Sequence, residues 1–144
     1  MQPTTKHVVL YADDDSDDQQ LIKQAFQQYD SNILVQSASN GEEALIHLKN
    51  LDLQHHRPCL IILDINMPKM NGKEALVKIR QSEKFNSLPV VLFSTSSSGL
   101  DKEFAKKWKA NFISKPLTYA DLATIAEVFV KHCDTEVSKN FALQ

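Results

Sequence analysis

A chain of 144 residues with 16 basic and 18 acidic side chains, net charge −2, is the size of one domain with one core. It lacks the cationic excess that a nucleic-acid or membrane surface requires. Two cysteines, Cys59 and Cys133, are too few for a disulfide framework, MQPTTKH carries no apolar signal core, and no apolar run approaches the ~20 residues of a bilayer span. The expectation is a soluble cytoplasmic protein with reduced thiols.

The first element is the apolar run VVLY (8–11), which predicts a buried strand. An acidic run follows at once: Asp13, Asp14, Asp15, Asp17 and Asp18. Carboxylates this close repel one another and are costly to desolvate, so the run is either a solvated loop or a site awaiting a cation. Leu21, Ile22, Ala25, Phe26 and Tyr29 then repeat with helical period. ILVQSA (33–38) predicts a second strand, and Ala44, Leu45, Leu48 and Leu51 a second helix, with Ser39 three residues before Glu42 as its start signal. CLIILD (59–64) predicts the third strand, and Gly72 to Gln81, with Ala75, Leu76 and Ile79, the third helix. VVLFS (90–94) predicts the fourth strand; Ser98 and Asp101 open a helix carrying Leu100, Phe104, Ala105 and Trp108. NFIS (111–114) predicts the fifth strand, and Thr118 with Asp121 opens a last helix carrying Leu122, Ile125, Ala126, Phe129 and Val130.

Strictly alternating short apolar strands and helices predict an α/β fold, a five-stranded parallel sheet covered by helices on both faces. No linker divides the chain. The expected layout is one domain over 6–132 and a C-terminal tail over 133–144. In such sheets ligands bind at the carboxyl ends of the strands. Those ends deliver Asp13 and Asp14 from the first strand, Asp64 from the third, Ser94 and Thr95 from the fourth, and Ser114 and Lys115 from the fifth. Each alone is ordinary, since Asp suits helix N-termini and Lys-Pro suits loops. Their joint placement on one rim is not. Three carboxylates suit a hard cation such as Mg2+, and Lys115 and Ser94 add a fixed charge and a donor suited to a phosphoryl group. Asp64 is then the nucleophile.

These residues resemble the receiver domain of two-component response regulators, of the single-domain chemotaxis type. Asp13 and Asp14 resemble that family's metal-binding pair. LDINMPKMNG (63–72) resembles its phosphoacceptor motif, with Pro four and Gly eight residues after Asp64. Ser94 follows Pro89 by five residues at the hydroxyl position, SKP (114–116) resembles the Lys-Pro motif, and Phe112 stands at the switch aromatic. The resemblance spans about residues 6 to 131 and implies a doubly wound sheet of (βα)5 flavodoxin-like type with strand order 2-1-3-4-5. It implies a stand-alone regulator that accepts a phosphoryl group on Asp64 from a sensor histidine kinase or histidine phosphotransfer protein. It also implies Mg2+ held by Asp13, Asp14, Asp64 and the Asn66 carbonyl, and a cis Lys115-Pro116 peptide. The chain is then a phosphoacceptor and not a turnover enzyme. Its output passes to another protein through the helix 4, strand 5, helix 5 face, and it is a monomer or weak homodimer.

Three residues depart from the commonest pattern. Ser94 replaces Thr, Phe112 lacks a Tyr hydroxyl, and Thr95 is larger than the usual Ala or Gly and narrows access to Asp64. The extended stretches HLKNLDLQHHRPC (47–59) and FSTSSS (93–98) resemble receivers paired with phytochrome-type sensor kinases. A haloacid dehalogenase phosphatase would need a carboxylate where Asn66 stands, and its nucleophile on the first strand. A flavin mononucleotide binder would need a glycine-rich loop that three glycines do not supply. The alternative that survives is a degenerate receiver acting as a phosphorylation-independent interaction module. His55 and His56 are adjacent, so their side chains diverge, and they read as loop histidines.

Overall fold

The computed structural model describes residues 7–95 and 98–133. Five parallel strands, β1 His7–Ala12, β2 Ile33–Ala38, β3 Leu60–Asp64, β4 Val90–Ser94 and β5 Asn111–Ser114, form one sheet in the order β2-β1-β3-β4-β5. The helices are α1 Ser16–Tyr29, α2 Gly41–Leu53, α3 Gly72–Gln81, α4 Gly99–Lys107, α5 Tyr119–Ala123 and α6 Ile125–Val130. This is the expected doubly wound fold.

Strand pleating explains why the strands read as unbroken apolar runs. Val9 and Tyr11 of β1, Leu60 and Ile62 of β3, and Val91 and Phe93 of β4 face one core, closed by α1, α5 and α6. Leu10, Ala12, Ile61, Leu63, Val90 and Leu92 face a second core, closed by α2, α3 and α4. Both faces are covered, so neither set of alternate positions can be polar. On the first side Phe93 meets Phe129 edge-on at 5.0 Å, and Phe26 stacks on Phe129 at 5.8 Å.

Several expectations are corrected. The last helix is two: at Thr124 the amide bonds Asp121 O at 3.3 Å, a tighter i to i−3 closure, and the Thr124 hydroxyl takes the same carbonyl at 3.1 Å. The cap of α2 is Asn40, not Ser39. Gly41 N–H is docked on Met70 O at 2.8 Å, which keeps the chain extended through Asn40, and the Asn40 side chain accepts from Glu43 N at 2.9 Å. Leu100, expected in a core stripe, is 75% exposed because it sits in the first turn of α4, outside the cores. Tyr29, at the end of α1, is likewise exposed. Phe104 and Trp108 do pack against the second core, their rings 6.2 Å apart. His55 and His56 fall in the turn after α2, His55 with a positive φ of 60°.

The expected tail, 133–144, lies outside the described residues from 134 onward, and Cys133 itself is buried. Among the described residues no helix is long and apolar enough to cross a membrane.

Candidate functional site

The parallel sheet brings the carboxyl ends of β1, β3, β4 and β5 to one rim, and the acidic run is divided there by function. Asp15 is the N-cap of α1, its side chain accepting from Asp17 N at 2.9 Å and Asp18 N at 3.1 Å. Asp17 and Asp18 occupy the first turn, where the helix dipole favours them. Asp13 turns inward and is fully buried, while Asp14 is exposed beside it. The crowding that the sequence presents in one dimension is thus dispersed in three.

Lys115 is the counter-charge. Its Nζ donates to Asp13 Oδ2 at 2.7 Å, Asp18 Oδ2 at 3.1 Å and Asp64 Oδ2 at 3.3 Å. All three ammonium hydrogens are thereby engaged. Burial works against its charge, but the carboxylates of Asp13 and Asp64 outweigh that and hold its pKa above the usual lysine range. Asp64 ends β3 at 7% exposure, with Oδ1 accepting from Asn66 N at 3.3 Å. Burial raises its pKa, Lys115 opposes the rise and Asp13 adds to it, leaving the carboxyl pushed up to about 6.

Oxygen ligands of Asp13, Asp14 and Asp64 lie within 4.8 Å of one another, and this is the cluster among the described residues suited to a metal. An all-carboxylate set on an open rim fits a hard divalent cation such as Mg2+. Asn66 is exposed at the same rim, and so is Thr95. Ser94 is fully buried, and its carbonyl accepts from Lys115 N at 2.8 Å, which fixes where the lysine leaves β5. Phe112 is half-buried against the second core, paired in register with Leu92.

The β3 to α3 loop holds Asp64 in place from behind. A Cβ at Gly72 would lie 2.1 Å from the Asp64 carbonyl oxygen, so no side chain fits there. The glycine eight residues after Asp64 is therefore a packing requirement. Asn71 caps α3 in a capping box with Glu74, a signal readable in NGKE but overlooked in the sequence.

Three supporting residues escaped the sequence reading. Tyr11 OH donates to Asp13 Oδ2 at 2.5 Å, and burial, reinforced by Asp13, keeps this phenol protonated far beyond its ordinary range. Gln19 donates through Nε2 to Asp13 O and, at 3.2 Å, to Ala38 O, tying α1 to the ends of β1 and β2. Asp18 shares Lys115. None has a motif, because each acts through a helix or strand position that only the fold defines. The Lys115-Pro116 peptide is trans, correcting the cis form that the resemblance implied. Trans is the lower-energy isomer by about 0.5 to 1 kcal/mol, and the Lys115 contacts are made without the cis form.

Residues 9–127 match the response regulator receiver domain family. The chain belongs to that family. This receiver is 30% identical over 122 residues to the probable methanogenesis regulatory protein FilR2 of Methanothrix harundinacea, covering 83% of this chain and 79% of that protein. Other curated relatives are longer, and the chain spans 15% and 42% of two of them. Among solved structures, the phosphorylated cyanobacterial phytochrome response regulator RcpA superposes with a TM-score of 0.78 at 28% identity, covering 85% of this chain and 90% of that one. The Mn(2+)-bound form of response regulator Rcp1 gives 0.73 at 25% identity, with coverage of 85% and 90%.

Proposed function

We propose that this receiver takes a phosphoryl group onto Asp64 from the phosphohistidine of a sensor kinase or phosphotransfer protein. The observation that carries the reading is the Lys115 ammonium bridging Asp13, Asp18 and Asp64 at the strand ends. An Asp64 oxygen attacks phosphorus, the P–N bond breaks, the donor imidazole leaves, and a mixed carboxylic-phosphoric anhydride forms. With its pKa at about 6, Asp64 is mostly ionised at neutral pH and available as a nucleophile. Lys115 places a positive charge where the phosphoryl oxygens arrive. Asp13, Asp14, Asp64 and the Asn66 carbonyl would hold Mg2+, which when bound neutralises phosphoryl charge; the Mn(2+)-bound Rcp1 structure supports a divalent cation here.

Ser94 donates to the new phosphoryl group, and Thr95 at the rim limits its access to water. Phe112, without a hydroxyl to leave unsatisfied, repacks inward as Ser94 moves, which shifts the population between two surface arrangements of α4 and β5. Output leaves through that face toward a protein partner. Leu100, in the first turn of α4 and 75% exposed, presents apolar surface there.

The test is intact mass after incubation with acetyl phosphate and Mg2+. A gain of one phosphoryl group that disappears in chelator and in Asp64→Ala supports the assignment. The same gain in Asp64→Ala overturns it.

A further inference from the structure

Away from the rim, at the opposite end of β3, two thiols meet inside the first core. Cys59 leads into β3 and Cys133 follows α6, 74 residues apart in sequence, with their Sγ atoms 3.4 Å apart. Both are buried, at 4% and 7% exposure. A core cysteine acting only as a small apolar filler needs no second sulfur beside it. Here two distant segments each place one at the same point. The Cys59 backbone is held, its N–H donating to Val8 O at 2.8 Å on β1. Cys133 sits in a turn past α6, its N–H on Val130 O at 3.1 Å.

We propose that Cys59 and Cys133 are a redox site that closes to a disulfide on exposure to a peroxide. Opening of the turn after α6 admits the oxidant, since local openings of this size precede global unfolding. The Cys133 thiolate attacks the peroxide, the O–O bond breaks, and a sulfenic acid forms with release of water when the oxidant is hydrogen peroxide. The turn recloses, the Cys59 thiol attacks the sulfenic sulfur, the S–O bond breaks, and a second water leaves. Two thiols lose two protons and two electrons, and one peroxide is reduced to two waters. The sulfurs move together from contact to bonding distance, about 2.05 Å. The bond ties the α6 end covalently to the strand that ends on Asp64, closing a long loop, so the oxidised protein is the more heat-stable form. A buried pair outside a disulfide framework suits a reversible role better than a permanent one.

The folded, full-length protein is treated with hydrogen peroxide at low micromolar protein concentration, then quenched and alkylated in denaturant. The expected product is a monomer two hydrogens lighter, with a non-reducing peptide map linking the Cys59 and Cys133 peptides and full reversal by dithiothreitol. Its melting temperature should rise by roughly 5 °C or more. Cys133→Ser and Cys59→Ala should each abolish the mass loss and the melting shift, and two variants guard against one that misfolds. Oxygen adducts without loss of hydrogens, crosslinked dimers, or thiols that are still fully alkylated in denaturant after the peroxide treatment would each overturn the proposal.

Discussion

Asp13 and Asp64 are neighbours with different tasks, and the difference is environmental. Asp13 is wholly enclosed and takes hydrogen bonds from Tyr11, Lys115 and the Asp15 amide. Asp64 faces the rim and is only partly compensated, so burial leaves its pKa at about 6 against an ordinary 3.8. Between those values the native state holds more protons than the unfolded chain, and this group favours the fold below pH 4 and loses that advantage as pH rises through 6. In chelator, stability from this residue should be about 1 kcal/mol lower at pH 7.5 than at pH 5. Urea titrations at both pH values check it, and Asp64→Asn should flatten the difference. Tyr11→Phe removes a donor from a buried carboxylate and should lower stability by about 1 to 2 kcal/mol. An unchanged urea midpoint would mean that Lys115 and the Asp15 amide satisfy Asp13 without the phenol.

Elements are positioned by their ends. Asp15, Asn40, Asn71, Ser98 and Thr118 cap five of the helices, each after a loop that leaves a strand's carboxyl end, so all of these capping loops but that of Asn40 are also site loops. Gly72 shows how tightly this is drawn. Gly72→Ala puts a methyl against the Asp64 carbonyl, with backbone on both sides to resist it. The loss should be about 3 kcal/mol or more, well above the ~1 kcal/mol of Asn71→Ala, which removes only a cap. Thermal unfolding of the two variants ranks them. Equal losses would show that the β3 to α3 loop yields easily.

At the scale of the molecule, four carboxylates stand near one ammonium, so the metal-free fold carries a net negative site that a cation relieves. Millimolar Mg2+ should raise the melting temperature relative to chelator by selective binding to the native state, and Asp14→Asn should stabilise the metal-free protein while weakening that response. A lower melting point for Asp14→Asn in chelator would argue against an acid pocket kept for binding. The alternation of runs and stripes was legible in the chain because it follows from the periods of 2 and 3.6, and these are local. The rim residues Asp13, Asp14, Asp64, Ser94 and Lys115 were legible for a related reason: each ends a strand or stands within two residues of its end, and parallel strands end on one side. Tyr11, Asp18 and Gln19 were not, because their partners lie on other elements or depend on which way a side chain turns from its backbone. The break at Thr124 and the exposure of Leu100 were equally hidden, since both depend on where packing ends and not on propensity. Nor could the chain alone place Cys133 beside Cys59. That contact spans 74 residues and exists only because α6 returns across the sheet to the start of β3, a placement decided by tertiary packing of the first core.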